Sequence, residues 1–187
     1  MTLGDYYLFA RRTEEAAAIF RSLVADPSVG RFAAVRLAAL QYYDHRPEEA
    51  LKTVDDVLVR EPNNVEALLF RVRLMLGKHK ADEALRNAQR AVASDATSAA
   101  AQFALGTARV ATNERDEAKS AFLQTLKLNP RSVAAQIQLA HLELATGGLG
   151  AADSFARQAL RIDPQNMEAQ LILARSLIGR GELTAAR

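Results

Sequence analysis

A spacing of 34 residues recurs from one end of this 187-residue chain to the other. Alanine holds one phase of the spacing throughout, at Ala16, Ala50, Ala84, Ala118, Ala152 and Ala186. Glutamate precedes the first four of these alanines, and leucine holds a second phase that only Arg71 interrupts. A fixed period of this length is the sequence signature of a repeat protein. The chain is therefore predicted to fold as a row of similar supersecondary units.

Each period contains two amphipathic helices. In residues 99–132, apolar residues three and four apart lie on both sides of the polar segment 113–115. Alternation by two, which strands require, does not extend over any length of the chain. Gly77 and Gly147 stand where the first helix of a unit is expected to end with a left-handed residue. The sequence therefore predicts an all-α chain of helix-turn-helix units.

Two segments carry a known motif. Leu3-Gly4-x2-Tyr7 is followed by Ala16-x3-Phe20, and Leu105-Gly106 is followed by Ala118-x3-Phe122 and Pro130. This pattern resembles the signature of the tetratricopeptide repeat family, although the chain has no tryptophan. The resemblance implies a right-handed superhelical α-solenoid, formed by stacked repeats.

The period divides the chain into about five and a half units, which we expect to form a single array over residues 1–187. The predicted units are residues 1–30, 31–64, 65–98, 99–132, 133–166 and a truncated 167–187. Such arrays normally finish with polar capping elements, and this sequence shows none. We therefore expect a soluble fragment of a longer protein, whose uncapped ends could self-associate.

Stacking explains the alanine phase. Two short helices cannot bury both faces alone, so each unit must pack on the next. A small side chain allows close approach, and a larger one at Ala84 or Ala118 would overpack the contact. Arg71, in the leucine phase, is expected to lay its stem along the core and send its guanidinium outward.

The resemblance implies that the first helix of each unit lines a concave groove for a protein or peptide partner. Helical spacing then selects the candidate partner-binding residues: Leu8, Phe9, Phe32, Val35, Tyr42, Tyr43, Leu69, Arg73, Phe103, Thr107, Ile137, His141 and Arg175. Seven of the eleven aromatic residues lie in the first 43 residues. The amino-terminal part of the groove is therefore predicted to hold apolar anchors, for an extended or helical peptide. The alternative is that these rings serve packing alone.

One subtype of the family is not expected here. Members that clamp a partner's terminal carboxylate use asparagines and lysines on the inner face. The corresponding positions in this chain are Ala39, Arg73, Thr107 and His141. Arg73 and Arg175 could instead each meet an acidic side chain.

Other chemistry finds little support in the sequence. The absence of cysteine excludes disulfides, thiolate nucleophiles and cysteine-based metal sites. A formal net charge of +2 does not favour nucleic acid, and no apolar run is long enough for membrane insertion. The glycines of residues 147–150 follow a helix, so a phosphate loop is not indicated. His45 and His79 are one period apart but lack a third ligand, so we expect neither metal nor cofactor.

The resulting hypothesis is a non-enzymatic scaffold that holds a partner peptide or helix in its groove and assists assembly of a larger complex. The alternative is the substrate-recruiting or regulatory arm of a larger enzyme, such as a glycosyltransferase. RNA recognition would need polar inner faces, which Phe32, Val35, Phe103 and Ile137 oppose. Composition is compatible with a bacterial protein in the cytoplasm or periplasm.

Overall fold

The computed structural model describes residues 3–182, which are all-helical with no strand. The helices in this range are α1 (Leu3–Phe9), α2 (Thr13–Leu23), α3 (Gly30–Tyr43), α4 (Pro47–Arg60), α5 (Val65–Gly77), α6 (Ala81–Ser94), α7 (Ala99–Ala111), α8 (Arg115–Leu128), α9 (Val133–Ala145), α10 (Leu149–Ile162) and α11 (Met167–Gly179). The predicted all-α fold of paired helices is confirmed. Ala186 and the predicted second helix of the sixth unit lie outside the described residues.

The helices fall into two compact units, the first ending at Asp95 and the second beginning at Ala96. In the amino-terminal unit, α1 pairs with α2, α3 with α4 and α5 with α6, and each pair packs on the next. In the carboxy-terminal unit, α7 pairs with α8 and α9 with α10, and α11 packs on both α9 and α10. The single continuous array over residues 1–187 stays a prediction.

The turn inside each pair has a left-handed residue at one fixed phase. These residues are Arg11, His45, His79, Asn113, Gly147 and Gly181, with φ between 56° and 80°. Gly147 was predicted in this role, but the prediction for Gly77 was wrong. Gly77 is the last residue of α5, and the left-handed residue is His79, whose φ is 56°. The helix must end before the chain can reverse, which displaces the left-handed position by two residues.

The alanine phase lies at the centre of the packing. Its five described members, from Ala16 to Ala152, are all completely buried. Next to it, the motif's glycine and phenylalanine touch: a Cβ on Gly106 would lie 2.6 Å from the Phe122 ring, and one on Gly4 would lie 2.5 Å from the Phe20 ring. Only a residue without a side chain lets these rings lie against the first helix.

Four of the first-of-pair helices, meaning the first helix of each pair, begin with a side-chain cap. Asn64, Ser98, Ser132 and Asn166 each accept a hydrogen bond from the backbone N–H three residues later. Such caps accept hydrogen bonds from backbone N–H groups of the first helical turn, which have no partner within the helix. The turn before α5 therefore joins two repeats and is not a flexible linker.

The link between α2 and α3 departs from this pattern. α2 has 11 residues, whereas α4, α6, α8 and α10 have 14 each. The link that follows α2 spans residues 24–29, against four residues at each later link. Here Asp26 accepts hydrogen bonds from the backbone N–H groups of Ser28 and Val29. The chain thus replaces the last turn of a helix with a hydrogen-bonded loop.

Two charged side chains form ion pairs between neighbouring helices. Arg71 is half-buried, and its Nη1 lies 2.9 Å from Oδ1 of Asp55, so the guanidinium ends in an ion pair. Lys119 of α8 pairs with Glu143 of α9, whose side chain is only 11% exposed. No helix within residues 3–182 is both long enough and apolar enough to cross a membrane.

Candidate partner-binding surface

The structure sorts the predicted binding residues by exposure. Phe9, Tyr43, Arg73 and Arg175 are exposed; Leu8, Phe32, Tyr42, Leu69, Phe103, Thr107 and His141 are half-buried; Val35 and Ile137 are buried. Phe9 is the most exposed of the predicted aromatic residues, at 86%. The exposed and half-buried members remain candidates for contact with a partner.

Val35 and Ile137 are corrections to the predicted set. Each is only 5% exposed. Ile137 packs in a core cluster with Ala152 of α10 and Ile172 of α11. Helical spacing had placed both residues on the inner face, but neighbouring side chains cover their positions. They are core residues and are not available to a partner.

An aromatic and cationic cluster lies on α3 and α5 of the amino-terminal unit. We call Tyr42, Tyr43, Phe70 and Arg73 the tyrosine–arginine cluster. The Tyr42 ring meets the Phe70 ring edge-on, with centroids 6.3 Å apart. The Arg73 guanidinium lies 5.5 Å from the Tyr42 centroid and 5.2 Å from the Tyr43 centroid. Three predicted residues are therefore brought together by packing between successive repeats.

Hydrogen bonding fixes the exposed edge of the tyrosine–arginine cluster. Arg73 Nη2 donates to the Tyr43 hydroxyl oxygen at 3.1 Å. Tyr43 remains 61% exposed, and Arg73 has no carboxylate partner within residues 3–182. A positioned guanidinium next to exposed rings can take both an apolar group and a carboxylate. This combination is typical of residues that anchor a partner at an interface.

Phe70 was missing from the predicted set. It lies three residues before Arg73 on α5, so the two side chains share a region of the helix surface. Its edge contact with Tyr42 gives the cluster a half-buried base. The aromatic residue at this spacing was the sequence signal that could have identified it.

The carboxy-terminal unit contributes the polar residues Thr107, His141 and Arg175 to the predicted set. His141 Nε2 on α9 lies 2.7 Å from Glu168 Oε1 on α11. The Thr107 hydroxyl donates to the carbonyl oxygen of Phe103 at 3.0 Å, so its proton is already used within α7. The Phe103 ring packs 5.5 Å from the buried Phe122 ring. Among the predicted residues of this unit, Arg175 is exposed, whereas His141 is half-buried and already bonded to Glu168.

Within residues 3–182, the shifted pKa values of the carboxyl groups arise first from side-chain hydrogen bonds. Three carboxyl groups have a pKa lowered by a hydrogen bond from a basic side chain: Glu15 from Arg12, Glu48 from Lys78 and Glu83 from Lys80. In all three pairs, the glutamate lies in the first turn of a helix. Across residues 3–182, no three metal-ligating side chains come together. His45 and His79 are instead accounted for by the left-handed turns.

Comparison with known proteins gives the same fold. The family model "Tetratricopeptide repeat" matches residues 103–166. No curated protein sequence matches the chain significantly. Among solved structures, the chain is similar to PilW, a widely conserved type IV pilus biogenesis factor, with TM-score 0.86, 18% identity and coverage of 98% of this chain and 86% of that one.

Two further structures extend the comparison. PilF of Pseudomonas aeruginosa has TM-score 0.84 and 21% identity, covering 98% of this chain and 85% of its own. A thermophilic tetratricopeptide repeat protein of Thermus thermophilus, TTC0263, has TM-score 0.77 and 22% identity, covering 94% and 96%. These identities support a shared fold and no more specific statement.

Proteins of this family typically act as non-enzymatic interaction scaffolds. The family comparison and the structure agree on the fold: residues 103–166 match the tetratricopeptide repeat family, and the described residues have the paired-helix repeat fold of solved tetratricopeptide repeat proteins.

Proposed function

We propose that the chain is a scaffold that binds a segment of a partner protein on its first-of-pair helices and so assists assembly of a larger complex. The tyrosine–arginine cluster carries this proposal. It combines an exposed Tyr43 ring with a guanidinium that has no acidic partner among the described residues. Both features lie on the exposed surface, whereas the alanine phase is completely buried.

The chemistry of the cluster defines the partner segment. The Tyr43 ring and the half-buried Leu69 offer contact to an apolar or aromatic side chain. Arg73 offers a carboxylate a charge-assisted hydrogen bond. We therefore propose a peptide in which an apolar residue lies close to an aspartate or glutamate.

Selection from a random short-peptide display library tests the proposal. The wild type is expected to enrich peptides that combine an apolar and an acidic residue. Arg73→Ala and Tyr43→Ala should each weaken the selected peptide about tenfold or more, as hot-spot truncations do. Lys52→Ala, on the exposed side of α4, should bind as the wild type does.

The choice of variants follows from the contacts. Phe103→Ala would remove a ring that packs on Phe122, so it would disturb folding as well as binding. Lys119→Ala would leave Glu143 without its partner and is unsuitable as a control. Equal binding by the wild type, Arg73→Ala and Tyr43→Ala would refute the assignment of the surface.

Self-association is a second proposal, supported by apolar residues at the two outermost repeats. Leu37 and Leu40 are buried, but Leu3 and Tyr6, one period earlier, are exposed. Likewise, Ile137 is buried, but Leu171, one period later, is exposed, as is Met167 on the same helix. The two exposed faces correspond to the two halves of a contact between repeats. We therefore propose head-to-tail stacking of copies.

Sedimentation velocity over a range of concentrations tests this stacking. The wild type is expected to form larger species as concentration rises, and Leu171→Glu should shift it to the monomer. Met167→Glu should act in the same direction. A wild type that stays monomeric at every concentration would contradict the proposal without affecting peptide binding.

A further inference from the structure

A cavity of about 400 Å³ lies beside the loop that follows α2. Loop residues 24–27 form one wall, and residues of α3 and α4 form the others. Its volume is in the range of sites that hold small organic ligands. None of its lining residues belongs to the tyrosine–arginine cluster, so it is a separate candidate site.

The cavity is explained by the short second helix. α2 stops at Leu23, and the chain passes through residues 24–29 before α3 begins. Gly30 allows the loop to approach α3, since a Cβ there would lie 2.4 Å from the carbonyl oxygen of Val24. The loop therefore takes a path that a last helical turn would not. The cavity is therefore a consequence of how the first two repeats are connected.

The floor of the cavity is apolar. Ala34 and Leu37 of α3 and Val57 of α4 line it, and all three are buried in the fold. Val24 and Pro27 add apolar surface from the loop. A hydrocarbon group placed here would leave water for an apolar environment, which is favourable.

The rim carries two arginines whose charges are not used within the fold. Arg21 of α2 and Arg60 of α4 both line the cavity and are exposed. Neither guanidinium has a hydrogen-bond or ion-pair partner in the part of the chain that the structure describes. A guanidinium is the side chain best suited to hold a carboxylate through two parallel hydrogen bonds.

The other charges of the lining are already engaged, with one exception. Arg31 lies 3.6 Å from Glu61, which also accepts a hydrogen bond from Asn64 at 2.9 Å. Asp26 faces the start of α3, and its hydrogen bonds with Ser28 and Val29 lower its pKa. With Asp56, the lining holds three arginines and three carboxylates, so its formal charges cancel. Because Arg31 is paired with Glu61, a ligand carboxylate would be received by the two unpaired rim arginines.

We infer that this cavity binds a small monocarboxylate with an apolar body. The body lies on the floor formed by Ala34, Leu37 and Val57. The carboxylate lies at the rim and accepts hydrogen bonds from Arg21 and Arg60. A neutral ligand of the same shape would not form charge-assisted hydrogen bonds with the two guanidiniums, and so would bind more weakly.

Titration of the ¹⁵N-labelled chain with hexanoate, followed by amide NMR shifts, tests the inference. Saturable shifts are expected at Gly30 and Ala34. Hexanamide, which has the same body without the charge, should bind at least about tenfold more weakly. Arg21→Gln and Arg60→Gln should each weaken the binding of hexanoate by a similar factor. Arg131→Gln, which removes an exposed arginine away from the cavity, should bind as the wild type does.

Because the two rim arginines are exposed and unpaired, their glutamine variants should fold normally, which the NMR spectra report directly. The inference fails if hexanoate produces no saturable shifts at the cavity. It also fails if hexanoate and hexanamide bind equally, or if the rim variants bind as tightly as Arg131→Gln. Peptide binding to the tyrosine–arginine cluster would be unaffected by any of these results.

Discussion

The regular repeats of the carboxy-terminal unit and the irregular first repeats of the amino-terminal unit differ in length but use the same contacts. α8 and α10 have 14 residues each, and the links that follow them have four, whereas α2 is shorter and its link is longer. Even so, the Gly106–Phe122 contact recurs as Gly4–Phe20. A few small residues and one ring therefore maintain the repeat, and helix length is free to vary.

One candidate site lies at the departure from regularity, and the other lies on regular repeats. The cavity lies where α2 ends early, whereas the tyrosine–arginine cluster lies on α3 and α5, whose lengths are close to those of α7 and α9. In the carboxy-terminal unit the equivalent of Tyr43 is Ala111 or Ala145. The repeat therefore varies both in helix length and in the side chains of its exposed positions.

The largest expected effect is at the alanine phase, which both units share. Ala84→Leu should lower the free energy of unfolding by about 1 to 3 kcal/mol, because the side chain at this position is completely buried. Ala118→Leu should do the same in the carboxy-terminal unit. Thermal denaturation measures both. Ala93→Leu, at an exposed position of α6, is the matched control, and equal melting temperatures for all three variants would contradict the packing account.

The second-largest effect is expected at the contact between glycine and phenylalanine, and its size should differ between the two units. Gly106→Ala should destabilise the chain by about 1 to 2 kcal/mol, because overpacking against the fully buried Phe122 outweighs the roughly 1 kcal/mol gained in helix propensity. Gly4→Ala should cost less, since the seven-residue α1 can shift more easily than α7. Chemical denaturation of both variants tests this order. A larger loss at Gly4 would show that α1 is the more rigidly packed helix.

A third test uses the left-handed turns, where the units differ in residue type. His79→Gly should stabilise the chain by less than about 1 kcal/mol, because glycine removes the strain of a Cβ at positive φ but loses more backbone entropy. Gly147→Ala should destabilise it by about 1 kcal/mol for the opposite reason. Opposite shifts in melting temperature are expected. Shifts of the same sign would contradict the role of this phase.

The smallest effect concerns the exposed ion pair at the start of α6. The hydrogen bond from Lys80 lowers the pKa of Glu83, so Lys80→Ala should raise that pKa toward its ordinary value. The pKa of Glu83 is lower in the folded chain than in the unfolded chain, so its carboxylate stabilises the fold at pH values above the unfolded pKa. This stabilisation is lost as the pH falls through the folded pKa. The variant should therefore lose less stability on acidification. Carboxyl NMR titration measures the shift, and an unchanged Glu83 pKa would rule out the pair.

The period was sufficient to predict the paired helices and the buried alanines, because stacking imposes both at every repeat. It was not sufficient to predict that Val35 and Ile137 are buried, because helical spacing selects one face of a helix but does not show how much of that face a neighbouring helix covers. Gly77 was misassigned because the left-handed position follows the helix end, and histidine there gives little local signal. The cavity could not be predicted, because it depends on where α2 stops.

Amide NMR mapping of the display-selected peptide on the wild-type chain tests the central claim most directly. The account predicts the largest shifts on α3 and α5, around Tyr43 and Arg73, and their loss in Arg73→Ala but not in Lys52→Ala. Shifts concentrated on the exposed side of α4 or α6, and retained in Arg73→Ala, would contradict it.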